Sequence, residues 1–460
     1  MDSTTLVHTP VRQFITFDGR KQKNLCLQKE LFLIAQTLIS PVGLVTMSND
    51  HNQISSGSIM TANHNVDINR LNAFAEKMVH EKKTAVGFPC NQNIKLAEFY
   101  HWYAVSGLAD VAMNNVGDPR KPSLFSLNTH EFENEVIDFF SPLYGFLPDE
   151  AWGIVTNGGT DGNNHGIYFG VHVLGSSSKI KPVLYVSQEA HYSIMRLSDL
   201  QGLEMRQIPA NIRGEMDVQA FEQALDPGRP ALIVIAVGTT FKGGIDNQDA
   251  IDEVLSRKRP VALYRHVDAA LFGGYLPFTE HADLVSHTRR KYDSIAVSGH
   301  KFFGFDEPLG LFLTTNKVLA TQNPFRVSYL NASVPTITCS RSALAPLKFW
   351  WQIHKTGVEG YRRQAELILK NAEYLKQRLD EISYPAWKND ISNTVYFQRP
   401  GDWVMKKWSL APYEDERLGG KLAHDIVMRH EGMHMIDHFV DDLVLDRGGE
   451  SETDGTPQTG

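Results

Sequence analysis

The chain has 460 residues, 42% of them hydrophobic and 21% charged, an ordinary globular composition with enough length for more than one core. Its formal net charge of -8 argues against a nucleic-acid footprint, which needs a clustered basic surface. Its three cysteines, Cys26, Cys90 and Cys339, are far apart and odd in number with no CxxC pair, so they indicate neither a disulfide framework nor a thiolate zinc site, and a reducing cytoplasm is the expected compartment.

Met1 to Glu30 carries charges throughout and lacks the apolar run of a secretory leader. The stretch Leu31 to Val45 is apolar but broken by Pro41 and Gly43. It falls short of the ~20 residues a membrane span needs, so it reads as an amphipathic or docking helix, with no membrane partner. A polar Ser/Asn/His stretch follows at Ser48 to Ser58. Leu71, Phe74, Ala75 and Met78 have helical spacing and predict a helix over 67–82 with Asp67 as its N-cap.

The middle of the chain has a repeating rhythm of short β-rich runs, each ending in a polar or glycine-bearing phrase. Trp152–Thr156 leads into Asn157-Gly-Gly-Thr-Asp-Gly162, Val183–Val186 into Ser187-Gln-Glu-Ala-His191, and Ala231–Val237 into Gly238-Thr-Thr240. Val261–Tyr264 leads into His266-Val-Asp-Ala-Ala270, Ser294–Val297 into Ser298-Gly-His-Lys301, and Gly310–Thr315 follows. Helical patterns fill the intervals, which predicts an α/β protein with a mostly parallel sheet and helices on both faces. Functional groups in such sheets collect beyond the carboxyl ends of the strands, where every one of these phrases lies.

Lys301 in that position is partly buried, and desolvation makes a lysine a usable amine nucleophile, as a Schiff base requires. An isolated lysine would more readily be a surface residue; here its neighbours agree with the chemical reading. Asp268 at a strand end suits a pyridine nitrogen, although it also suits a helix cap. Ala270 is small enough for a ring to lie flat beside it. The turn at Gly158 to Gly162 offers backbone N–H groups at a helix N-terminus, with the Thr160 hydroxyl, to a phosphate. It is neither a P-loop nor a GxGxxG fingerprint. His191 could stack over a ring, or be a hydrogen-bonded core histidine.

Two phrases are treated as decoys. His430-Glu-Gly-Met-His434 matches HExxH, but Gly432 interrupts it, and a strand (Ile426–Met428), turn and helix (Met435–Leu443) explain it better than zinc does, so no metal is expected. Phe349–Trp351 falls in a helical pattern, Ala345 to His354, and reads as packing.

Taken together, Thr156–Asn163, Glu189–Ser193, Val237–Thr240, His266–Ala270 and Ser298–Phe302 resemble the group II pyridoxal-phosphate-dependent amino-acid decarboxylases. The likeness is nearest to bacterial histidine decarboxylases and plant serine decarboxylases and covers roughly residues 87–445. It implies an aspartate-aminotransferase-like fold of type I with a smaller C-terminal α+β domain. The divisions expected are an extension with docking helices (1–86), a large cofactor domain (87–330), a small domain (331–446) and a disordered tail (447–460). It further implies a cytoplasmic homodimer with active sites at the interface, pyridoxal 5'-phosphate as cofactor and a small amino acid as substrate. Lys301 would carry the cofactor, Asp268 face the pyridine nitrogen and His191 stack on the ring. Gly159, Thr160, Ser298 and His300 would hold the phosphate, with Thr240 and Ala270 beside the ring. Tyr329 would return a proton to the substrate's Cα, often in the partner's site. Asn91 and Ser340 lie in segments that face the substrate in the family, and Ser340 matches a serine near the imidazole in animal histidine decarboxylases. The phrases 303–310, 336–342 and 87–93 depart from these relatives. The reaction expected is therefore α-decarboxylation, of L-histidine first, with serine, alanine, a branched aliphatic amino acid or another lyase reaction of the same fold as alternatives.

Overall fold

The computed structural model describes residues 66–322, 325–328 and 332–453. It divides into two units, Met1–Asp67 and Ile68–Gly460, and the architecture below is that of the second. The expectations for Leu31–Val45 and Ser48–Ser58 lie outside the described residues.

Helix α1 (Ile68–Glu81) forms where the apolar spacing placed it. Its stripe is not covered by the other described residues: Leu71, Phe74 and Met78 remain 53%, 61% and 40% exposed. Helices α2 (Ala97–Val105) and α3 (His130–Phe140) lead into the large sheet. There follow β1 (Ala151–Thr156), α4 (Gly159–Ser177), β2 (Val183–Ser187), α5 (Ser193–Leu200) and β3 (Glu204–Ile208). The sheet is completed by β4 (Ala231–Ala236), α6 (Gln248–Lys258), β5 (Leu263–Asp268), β6 (Ser294–Ser298) and β7 (Gly310–Thr315). The strand order is β1-β7-β6-β5-β4-β2-β3. Strand β7 runs antiparallel to both its neighbours, and the pairings from β6 through to β3 are parallel.

Alternation along the buried strands feeds two cores. Leu232 and Val234 of β4 pack with Ile167 and Phe169 of α4 and Ile194 of α5 on one face. Ile233 and Ile235 pack with Ile137 and Phe140 of α3 and Ile251 and Val254 of α6 on the other. Strands covered on both faces read as continuous apolar runs, which is why the rhythm was visible in the sequence. Two details differ from the sequence reading. Strand β5 begins two residues later than the apolar run, since Val261 is exposed and pairing with β4 extends to Ala236 opposite Asp268. Strand β3 went unpredicted because it is an edge strand of sequence Glu-Met-Arg-Gln-Ile, with little apolar signal.

Helix α7 (Leu344–Glu381) is broken at Gly357, where φ is 63° and ψ 169°, a conformation open to glycine at little cost. Phe349 is fully buried against Phe140, centroids 5.4 Å apart, so the Phe-Trp-Trp phrase is packing. The C-terminal part is a separate antiparallel sheet of β8 (Ala386–Lys388), β9 (Thr394–Gln398), β10 (Ala411–Asp415) and β11 (Gly420–Ile426), ordered β8-β9-β11-β10. Helix α8 (Met433–Thr453) packs Phe439, Val440 and Leu443 with Val395, Phe397 and Trp408. This helix passes Arg447, where a disordered tail was expected to begin, because the Arg447 guanidinium donates to the Ile382 and Ser383 carbonyls (3.1 and 3.2 Å). Residues 454–460 lie outside the described residues.

The HExxH phrase spans the turn between β11 and α8 and the first two residues of α8. His430 Nδ1 accepts from the Gln92 N–H at 3.2 Å and its Nε2 donates to the Ala85 carbonyl at 3.1 Å. Glu431 is buried and accepts from the Met428 N–H at 2.6 Å.

Candidate active site

A cavity of about 550 Å³ opens at the carboxyl edge of the large sheet, with β10 and β11 of the small sheet forming part of its wall. Its floor is built from the turns that follow β1, β5 and β6. Gly158, between β1 and α4, has φ 87°, a left-handed conformation that favours glycine. The turn sits tightly on its neighbours: a Cβ at Gly159 would fall 2.6 Å from Ser298 Oγ and 2.9 Å from the Ala270 Cβ, and one at Gly158 would lie 3.4 Å from His300 Cε1. Gly159, Thr160, Ser298, His300 and Ala270 therefore share one end of the cavity. Asp161 closes the turn by accepting from the Asn157 N–H at 2.9 Å and the Thr338 hydroxyl at 3.1 Å.

Asp268 is the last residue of β5. Its Oδ1 accepts from the Ala270 N–H at 3.1 Å and its Oδ2 from Asn163 Nδ2 at 2.9 Å. Lys301 follows β6 in a turn pinned by the Leu309 carbonyl, which accepts from Gly299 N at 2.7 Å. Burial pushes the Lys301 amine below its usual value, with the charge of Asp268 opposing. His191 engages Ser193 through Nδ1 at 2.8 Å. Burial holds its imidazole below the ordinary value, again with Asp268 opposing, so the neutral ring is the form favoured near pH 7.

Nine of the residues singled out from sequence thus line one cavity: Lys301, Asp268, His191, Gly159, Thr160, Thr240, Ala270, Ser298 and His300. Asn91 and Ser340 do not line it. Asn91 is buried, with Nδ2 donating to the Phe302 carbonyl at 2.9 Å, and so it braces the chain just past Lys301. Ser340 lies on a short strand paired with Asn115–Val116 and accepts from Asn114 Nδ2 at 3.1 Å. Tyr329 lies outside the described residues. Sequence reasoning missed the other wall, formed by Phe88, Phe241, Tyr413 and His424. Phe241 stacks between Tyr413 and His424, each at 4.3 Å. Behind it Tyr413 donates to Glu189 at 2.9 Å, and buried Lys242 donates to Glu189 at 3.0 Å and to Asp415 at 2.5 Å. No local motif marks Tyr413 or His424. Glu189 lies within Ser187-Gln-Glu-Ala-His191, where nothing local marks a carboxylate that reaches a second sheet.

An amine of lowered proton affinity, a carboxylate at a strand end and a glycine cradle at the head of a 19-residue helix fit pyridoxal 5'-phosphate in each of its parts: aldehyde, pyridine nitrogen and phosphate. Fold and site define a pyridoxal-phosphate enzyme of the aspartate-aminotransferase type.

The pyridoxal-dependent decarboxylase conserved domain matches residues 173–386. Serine decarboxylase 1 of Oryza sativa subsp. japonica is 32% identical over 378 residues, spanning 81% of this chain and 74% of the relative. Histidine decarboxylases of Solanum lycopersicum and Vibrio campbellii are each 32% identical, covering 82% and 84% of this chain and 88% and 96% of their own lengths. Among solved structures, L-methionine decarboxylase from Streptomyces sp. 590 superposes with a TM-score of 0.71 at 22% identity, covering 82% of this chain and 95% of that one. Glutamate decarboxylase of Lactobacillus brevis gives 0.69 at 20% identity, covering 87% and 95%; both speak to the fold. The chain belongs to the pyridoxal-dependent decarboxylase family.

Proposed function

We propose that the protein removes the α-carboxylate of an L-amino acid, releasing CO₂ and the amine, with L-histidine the first candidate substrate and histamine its product. The observation that carries this is the meeting of Lys301, Asp268, His191 and the Gly159–Thr160 turn in one cavity. The similarity to histidine decarboxylases and an aromatic wall suited to a flat side chain support histidine. The equal similarity to a serine decarboxylase favours serine as the second reading.

When bound, pyridoxal phosphate supplies the electron sink that lets the Cα–carboxylate bond break. In this reading Gly159, Thr160, Ser298 and His300 hold its phosphate, while Ala270 and Thr240 border its ring. Asp268 would keep a proton at its pyridine nitrogen, and His191 would stack on its ring and exclude water. Lys301 would carry the cofactor, and its lowered proton affinity would leave its amine neutral and so able to bond to the cofactor's aldehyde. Tyr329 or a water returns the proton that replaces CO₂ at Cα.

The proposal extends to a homodimer, supported by the apolar stripe of α1 that the described residues leave exposed, with Tyr329 acting across that interface. It also keeps the divisions at residues 86/87 and 330/331. A cytoplasmic setting is supported by the free thiols of Cys90 and Cys339; among the described residues no helix is long and apolar enough to cross a membrane. Assaying amine and CO₂ from each proteinogenic amino acid tests the function. Histamine from histidine is the expected product, and no amine from any of them would reject decarboxylation.

A further inference from the structure

Behind Asp268, polar side chains run through the core beneath α4. Tyr264 OH donates to Ser294 Oγ at 2.9 Å, and Ser294 Oγ contacts His266 Nδ1 at 2.8 Å. His266 Nε2 contacts Asn163 Oδ1 at 2.9 Å, and Asn163 Nδ2 donates to Asp268 Oδ2 at 2.9 Å. All five residues are at most 6% exposed. The direction of each bond follows from the ends. An ionised carboxylate only accepts, so the amide nitrogen of Asn163 must face it and the amide oxygen must face His266. His266 Nε2 therefore carries the proton, and bare Nδ1 accepts from Ser294. Burial pushes the His266 imidazole down to about 4, which agrees with a neutral ring.

The row is built at some cost. Leu232, Val234, Ile154 and Phe312 make up the same face of the sheet, and apolar residues there would need no partners. The helix also gives up side-chain volume for it: a Cβ at Gly166 would fall 2.1 Å from His266 Nδ1, so glycine there lets α4 lie directly on the ring. The row reaches the cavity only through Asn163 and Asp268, both of which line it.

We propose that Asn163 and His266 are positioning residues that fix the rotamer and hydrogen-bonding state of the Asp268 carboxylate, and so set the proton affinity of the bound cofactor. This rests on the reading of Asp268 as the partner of the pyridine nitrogen. A fixed carboxylate presents Oδ1 and Oδ2 in one orientation; a carboxylate without Asn163 loses a buried charge-assisted donor and turns.

The test is a pH titration of the absorbance of the lysine-bound cofactor, without substrate, in wild type and in Asp268→Asn, Asn163→Leu, His266→Phe and His266→Gln. Cofactor dissociation and the melting temperature of each apo-protein are measured alongside. Asn163→Leu and His266→Phe are expected to move the titration midpoint in the same direction as Asp268→Asn, by about one pH unit, which is tenfold in proton affinity. His266→Gln, whose amide can still donate to Asn163, should restore most of the wild-type profile. A wild-type profile in Asn163→Leu and His266→Phe beside a shifted one in Asp268→Asn would overturn the proposal alone, leaving those residues as packing whatever their melting temperatures. A wild-type profile in Asp268→Asn would overturn the assignment of Asp268 and the proposal with it.

Discussion

Lys242→Met tests how the two sheets are held together at the cavity. The Lys242 side chain is fully buried, with Nζ 3.0 Å from Glu189 and 2.5 Å from Asp415. Glu189 follows β2 of the large sheet and Asp415 ends β10 of the small one. Methionine keeps most of the stem but removes the ammonium. Asp415 retains Arg417, which donates to it at 2.7 and 2.9 Å. Glu189, 5% exposed, keeps among the described residues only the Tyr413 hydroxyl. Removing one partner of a buried ion pair costs about 3–5 kcal/mol, because the remaining charge is left uncompensated. The loss of the ammonium over the Tyr413 ring, 5.5 Å away, adds about 2 kcal/mol at a site this desolvated. Chemical denaturation of Lys242→Met should therefore show a loss of several kcal/mol. The double variant Lys242→Met/Glu189→Gln, which removes the orphaned charge, should recover a large part of it. A single variant within about 1 kcal/mol of wild type, or a double variant weaker than the single, would refute the reasoning.

His424, buried beneath Phe241, has its imidazole pushed down to about 4 by burial, against an ordinary value near 6.5. Its unfolded form takes up a proton near pH 6.5 and its folded form only near 4, so this contribution is present above pH 6.5 and lost as pH falls toward 4, by about 3 kcal/mol. Buried Asp246 and Asp293, raised to about 7 and about 6, act with the opposite sign. The quantity to measure is therefore the stability difference between wild type and His424→Gln, which should narrow by about that amount between pH 7 and pH 4; a constant difference would reject the neutral buried ring. Tyr329→Phe should reduce amine formation by about 10²–10⁴ while leaving the cofactor's absorbance intact, and full amine yield would reject its role as proton donor.

The core of the fold could be read from the sequence because its strands are buried on both faces and spell out apolar runs, each ending where chemistry collects. Strand β3 escaped because an edge strand is half solvated. The floor of the site was legible because Lys301, Asp268 and Gly159 each sit in a phrase whose local geometry implies a role. The wall was not, since Tyr413 and His424 reach the cavity from a second sheet, and nothing in their neighbours on the chain states that placement. The same holds for Asn163 and His266. Both lay within quoted phrases, yet their alignment depends on α4 lying flat on β5, which rests on Gly166 and is a matter of packing. Ser340 and Asn91 show the converse, since proximity to a family's substrate segment in sequence did not bring either to the cavity of this chain.

The central claim is that Lys301 carries the cofactor for a decarboxylation. The most direct measurement is the absorbance of the purified protein reconstituted with pyridoxal phosphate, compared between wild type and Lys301→Ala, with CO₂ release followed in the same samples. Wild type is expected to show a lysine-bound cofactor band and to release CO₂, and Lys301→Ala to do neither. An intact band, or undiminished CO₂ release, in Lys301→Ala would contradict that claim.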